Sequence, residues 1–382
     1  MLRLTAIAML LLFGPLSGYI SYLQPESGVN RISDLKYEPN SDRNSLQNRS
    51  EEVSKDAEFD IDLSIVDKNN LWAIGQKRRS DGTRIESIVL KSSDGGRSWN
   101  KQFADSGNYF YDICFVNSQT GWISGADGLI LKSTDGGKSW AKQYTGTKST
   151  LVEIKFIDPD WGWALAFNGE VLRTTDGGLR WGSHRIEIRR WVNYISFGDR
   201  HQGWVVGEDS QAYQTTDGGI TWTDRGPALV SPLDRQNLHH ADFRTVKFIG
   251  AKVGFMAAII TPKPENYEKE GQFRKGVVLK TQDGGRTWSV FMKKDWLEPI
   301  SGEFVSEEEA WIIHGNNEEV IHTIDGGKSW VTVSSLPPGV RRIYFADKQN
   351  GWAEVGHGWF TDSVLYTNDG GQSWLKSKLP VG

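Results

Sequence analysis

From residue 59 onward, apolar and polar residues alternate in short runs, the period of a half-buried β-strand. Seven such runs recur: "FDIDLSIV" at 59–66, "YFYDICFV" at 109–116, "LVEIKFI" at 151–157, "WVNYISF" at 191–197, "FRTVKFI" at 243–249, "PISGEFV" at 299–305 and "VRRIYFA" at 340–346. Each is followed by a second apolar run, often opening on Gly-Trp, as at Gly121-Trp122 and Gly203-Trp204. A third run enters an eight-residue phrase and a fourth leaves through its closing Trp. The phrases are "SSDGGRSW", "STDGGKSW", "TTDGGLRW", "TTDGGITW", "TQDGGRTW", "TIDGGKSW" and "TNDGGQSW". Their Trp residues, 99, 140, 181, 222, 288, 330 and 374, are spaced 41, 41, 41, 66, 42 and 44 apart. Four strands per unit at this period are the signature of propeller blades. The pattern predicts an all-β fold, a seven-bladed β-propeller of four-stranded antiparallel blades (strands A to D) over residues 59–380.

The phrase has a physical reading as a C–D hairpin. Its glycines supply the positive φ of a tight turn. Its carboxylate, from Asp94, Asp135, Asp176, Asp217, Asp283, Asp325 or Asp369, can accept backbone N–H groups of its own turn. Its indole, from Trp99, Trp140, Trp181, Trp222, Trp288, Trp330 or Trp374, is expected to wedge into the seam between strands. Burying one removes roughly 200 Å² from water, and truncation to Ala should cost about 3–5 kcal/mol. Seven equivalent turns point to architecture and not to catalysis.

The N-terminus has another character. Arg3 precedes an uncharged run from Leu4 to Leu23, so residues 1–23 read as a signal peptide or an N-terminal membrane anchor. Residues 24–58, rich in Ser, Asn, Asp, Glu and Arg, read as a flexible polar linker. The chain is therefore expected to be exported, to a periplasm or a thylakoid-lumen side, soluble or membrane-anchored. Net charge is −4, which excludes a nucleic-acid partner on electrostatic grounds. The single cysteine, Cys114, cannot staple the fold and reads as a small buried filler. The 17 Trp residues exceed what the phrases need, so the others carry information about surfaces.

The phrase resembles the Asp-box, or BNR repeat, of sialidases, sortilin-type receptors, xyloglucan hydrolases and photosystem II stability/assembly factors. Seven copies between residues 59 and 380 are most similar to the last group. That resemblance implies a non-catalytic scaffold, acting as a monomer, which binds a protein partner, a membrane-protein subunit under assembly, through an arginine patch on one propeller face. It points most directly to Arg189, Arg190, Arg341 and Arg342, at the starts of A strands.

Topology selects the face. A–B and C–D turns share one side of a propeller, and B–C and D–A loops share the other. The long insertions, at 76–86, 223–242 and 261–275, all fall on the second side, where loops on a rigid scaffold usually bind. Trp191, Trp296 and Trp359 map there too, as do Arg78, Arg79, Arg84, Arg235 and Arg244. Trp and Arg are the residue types enriched at binding hot spots. These residues, with Arg189, Arg190, Arg341 and Arg342, form the expected partner-binding set.

A sialidase-like, glycan-active or glycan-binding protein is the alternative. Arg190, Arg244 and Arg342 could clamp a carboxylate, yet the nearest match to the sialidase Phe/Tyr-Arg-Ile-Pro motif is Phe243-Arg244-Thr245-Val246, which lacks the proline. Glu307, Glu308 and Glu309 are adjacent and cannot flank a glycosidic bond unaided. His239, His240 and Asp242 have ligand chemistry but read as polar surface. No metal, cofactor or catalytic residue is expected.

Overall fold

The computed structural model describes residues 58–78, 84–230, 238–262, 275–295, 299–314, 318–357 and 360–380. The segments 1–23 and 24–58, read above as targeting sequence and linker, lie outside these residues except for position 58. Seven four-stranded sheets follow one another in chain order, every strand pairing antiparallel with its sequence neighbour. Each blade thus supplies all four of its strands. The A strands are Glu58–Ile65, Phe110–Phe115, Leu151–Phe156, Val192–Phe197, Leu238–Ile249, Pro299–Phe304 and Val340–Phe345. Apart from strands, the described residues hold a 3-10 turn at Ala126–Gly128 and one helical turn at Gly226–Val230.

The insertions differ from simple loops. In blade 5 the A and B strands run Leu238–Ile249 and Val253–Pro262, paired as far as Leu238 opposite Pro262. Apolar residues along this extension, Phe255 to Ile260, are buried, so the chain gains by staying in the sheet. In blade 1 likewise the B and C strands continue to Arg78 and from Arg84.

The core lies between blades. Each of seven hydrophobic clusters joins two successive blades, as where Trp72, Ile74 and Val89 of blade 1 meet Ile113, Phe115 and Leu131 of blade 2. The B-strand indoles Trp72, Trp122, Trp163, Trp204, Trp311 and Trp352 are the largest fully buried side chains. The indoles of Trp72, Trp122, Trp163 and Trp311 stack on an A-strand Phe of the next blade, with centroids 3.5–3.9 Å apart. The Nε1 groups of Trp72, Trp122, Trp163, Trp311 and Trp352 donate to the first Gly carbonyl of the next blade's Asp-box turn, at 2.7–3.2 Å.

The phrase indoles lie at the same seams, as expected: Trp99 is buried in the blade 1–7 cluster, and the other six pack against the clusters between blades. Apart from Trp99, they are only half-buried and meet a Phe edge-on, as Trp140 meets Phe115 of its own blade at 5.8 Å; Trp330 alone meets a Phe of the preceding blade, Phe291, at 5.9 Å. The deeper wedge between blades is the B-strand Trp, because its strand lies further into the sheet than the C–D hairpin. Blade 5 carries Phe255 at that position and stacks it on Phe304 at 4.0 Å.

The turn itself closes on its Asp. In all seven, the opening Ser or Thr hydroxyl donates to the carboxylate at 2.7–2.9 Å and accepts the second Gly N–H at 2.8–3.0 Å. In six, a Ser or Thr four residues after the Asp donates its hydroxyl back at 2.5–2.6 Å. In blade 3 that position is Arg180, which gives only its backbone N–H. The second Gly has φ between 81° and 93°. A Cβ on Gly96, Gly219 or Gly285 would also sit 2.5–3.1 Å from the indole of the preceding blade. Both constraints demand glycine there.

The ring closes without a shared strand. Lys378 bridges Ser98 of blade 1 in parallel, with Trp99 N–H to the Lys378 carbonyl at 3.2 Å and Lys378 N–H to the Arg97 carbonyl at 3.0 Å.

Candidate functional site

The A strands are edge strands, and their free N–H groups at the hub need acceptors. A side chain of the preceding blade supplies one at six of the seven seams. Ser64 accepts from Phe115, Asp112 from Ile154, Glu153 from Ile195, Ser196 from Phe248, Ser301 from Ile343 and Glu354 from Leu63, all at 2.6–3.2 Å. At the remaining seam Lys247 forms an ion pair with Glu303. Cys114 also belongs to this set: its sulfur accepts from Phe156 N–H at 3.4 Å, while its side chain packs half-buried against the cluster between blades 2 and 3.

Charge concentrates here. Lys155 lies 3.5 Å from Asp112 and 3.3 Å from Glu153. Arg342 contacts both oxygens of Asp62 at 3.0 Å across the closing seam. Burial pushes the Glu153 carboxyl up to about 7, against the pull of Lys155 and with help from Asp112. Burial also raises Asp112. The Asp62 carboxylate holds the Arg342 guanidinium well above its ordinary value. The Lys155 and Arg342 side chains keep 41% and 40% exposure, so water reaches this hub.

The opposite ends of the A strands open onto the D–A/B–C face. Arg189 is exposed and reaches Asp224 at 2.7 Å, while its N–H donates to Gln211 at 2.6 Å. Arg190 and Trp191 follow, both exposed. Arg244 lies half-buried, 4.0 Å from Asp242. Arg341 and Arg342 are successive residues at a β-bulge, Arg341 half-buried and Arg342 drawn into the hub. Arg78 and Arg84 end the long strands of blade 1. Arg79, Arg235, Trp296 and Trp359 lie outside the described residues. The structure therefore gathers Arg189, Arg190 and Trp191 on one D–A loop and separates Arg342 from them in role. Sequence reasoning missed the hub, whose members come from strands roughly one repeat apart. His240 faces Asp242 at 3.7 Å. Among the described residues no group of three or more His, Cys, Asp or Glu is placed to hold a metal.

Seven blades, each with an Asp-box hairpin, define a BNR-type β-propeller. The chain resembles the photosystem II assembly factors: the family described as photosynthesis system II assembly factor YCF48 matches residues 40–148 and 180–260. Solved structures agree on the fold. YCF48 bound to a D1 peptide superposes with a TM-score of 0.59 at 17% identity, covering 83% of this chain and 94% of that one. YCF48 from Cyanidioschyzon merolae gives 0.56 at 18% identity, covering 82% and 96%. Sqt1 of Saccharomyces cerevisiae gives 0.52 at 12% identity, covering 86% of each. No curated protein matches by sequence.

Proposed function

We propose that this propeller is a non-catalytic, exported scaffold, acting as a monomer on the periplasmic or lumenal side of a membrane. It binds a soluble segment of a membrane-protein subunit through its D–A/B–C face, as an assembly factor would. The observation that carries this reading is the family match together with the exposed Arg189-Arg190-Trp191 run on that face. Exposed guanidinium groups beside an indole suit an acidic peptide: the charges steer and orient, and the ring anchors. The solved YCF48 complex supplies the probe, a D1 peptide.

The test is fluorescence anisotropy of a labelled D1 peptide with the full chain. Substituting Arg189, Arg190 and Arg341 together by Ala should weaken binding by about a hundredfold, summing three contacts of about 1 kcal/mol each. Arg342 is left in place because it holds Asp62. Unchanged affinity in the triple variant would remove the face from the reading. Steady hydrolysis of fluorogenic glycosides by the purified chain would replace it with the glycan-active alternative.

A further inference from the structure

Among the described residues, the exposed aromatic side chains are Tyr109, Tyr111, Tyr144 and Trp191, and all four lie on the D–A/B–C side of blades 2 to 4. The exposed large aliphatic residues lie elsewhere. Ile157 sits in an A–B turn, Leu179, Ile220 and Ile324 in Asp-box turns, and Val290, Val331 and Leu375 on outer strands.

Tyr109 and Trp191 hold one structural position in two different blades. Each immediately precedes the first residue of its A strand. Each offers its carbonyl to the first N–H of the B–C turn, from Ala126 at 3.1 Å and from Glu208 at 3.2 Å. A Cβ on Gly125 or Gly207 would lie 2.2 or 2.3 Å from these carbonyls, so glycine on the B strand permits the contact. The backbone that carries the two rings is thus fixed to the B–C turn of its own blade. In blade 3, between them, the equivalent residue is Thr150. Exposed Lys148 and Arg190 lie on the D–A loops along the way and exposed Arg185 ends the D strand of blade 3, with Glu187 and, on the B–C turn beside Tyr109, Asp127 as the exposed acids.

We propose that Tyr109 and Trp191 are paired anchors for an extended acidic peptide that crosses blade 3. The peptide carries large apolar residues five or six positions apart, with carboxylates between them. The spacing follows from the ring. Adjacent sheets pack about 10 Å apart, so equivalent points two blades apart on a seven-fold ring are about 18 Å apart, which an extended chain spans in five or six residues. The acidic character follows from the cations along the route. This deepens the peptide-binding reading above and rests on it.

The probes are fluorescein-labelled, ten-residue acidic peptides with two Phe residues three, five, six or eight positions apart, and an all-acidic control. Anisotropy is measured with the full chain. The five- and six-spaced peptides should bind about tenfold more tightly than the others. Tyr109→Ala and Trp191→Ala should each remove that advantage, while Leu179→Ala on the opposite side should not. Both anchor side chains are substantially exposed, and urea melts should show all three variants as stable as the parent. Indifference to spacing, or spacing preference unaffected by both anchor variants, overturns the proposal. So does competition by oligosaccharides for a surface that no peptide in the series prefers. If the D1 peptide still binds in an arginine-dependent way while the spacing series is flat, the anchors fail and the binding face stands.

Discussion

At the scale of single residues, glycine, tryptophan and aspartate divide the work. The Asp-box was legible because its geometry is local: the bonds of Asp135 to Ser133, Lys138 and Ser139 span four residues at most. Which indole wedges the blades was not legible, since both Trp classes recur once per unit and only depth in the sheet separates them. Trp163→Ala should therefore cost about 3–5 kcal/mol in urea denaturation, and half-buried Trp222→Ala clearly less. Equal losses would show that depth of burial does not separate the two indoles. The box carboxylates also set an acid limit. The Ser139 and Ser329 hydroxyls, then the backbone N–H groups, hold Asp135 and Asp325 down to about 2. A depressed folded value means that stabilisation is present above the ordinary carboxylate range near 3.9 and is lost as pH falls toward 2. Asp135→Asn should flatten the stability profile between those values, and an unchanged slope would assign acid loss to other groups.

At the scale of strands, the inner edge of six blades is capped by a side chain of the preceding blade where another fold would add a strand. The strands themselves were readable from alternation. Their caps were not, because alternation marks Asp112, Glu153 and Ser196 only as polar positions and says nothing of the ring that brings the next A strand beside them. The extended hairpin of blade 5 escaped for a related reason: Pro262 and the polar stretch after it look like a loop, while buried Ile259 and Ile260 keep the backbone paired. Glu153 makes the cap measurable. Its folded value of about 7 exceeds the ordinary 4.5, so the folded state holds the proton more tightly than the unfolded chain. Its contribution is complete below about 4.5 and declines as pH rises through 7, the reverse of the box carboxylates. Thermal melts of Glu153→Gln should lack that decline. A parallel decline in parent and variant would place the titration elsewhere.

At the scale of the whole molecule, blade count and the two-sided layout followed from the repeat, whereas the fastening of the ring did not. Nothing in the sequence pairs Lys378 with Ser98, or Arg342 with Asp62, across most of the chain. Ending the chain after Lys376 should lower the melting temperature by several degrees and expose the blade 1–7 seam, where Trp352 donates to Gly95, to faster hydrogen exchange. Protection there equal to that of the Trp163 seam would show that the clip is dispensable. The hub has a consequence for inheritance. Tandem copies invite unequal recombination, which drops or doubles a unit. Here Asp112 answers Lys155, Lys247 answers Glu303, and Arg342 answers Asp62, each in its own place. A shuffled gene would set these partners beside strangers, so near-identical units on the outside are kept in a fixed order by unlike residues at the axle.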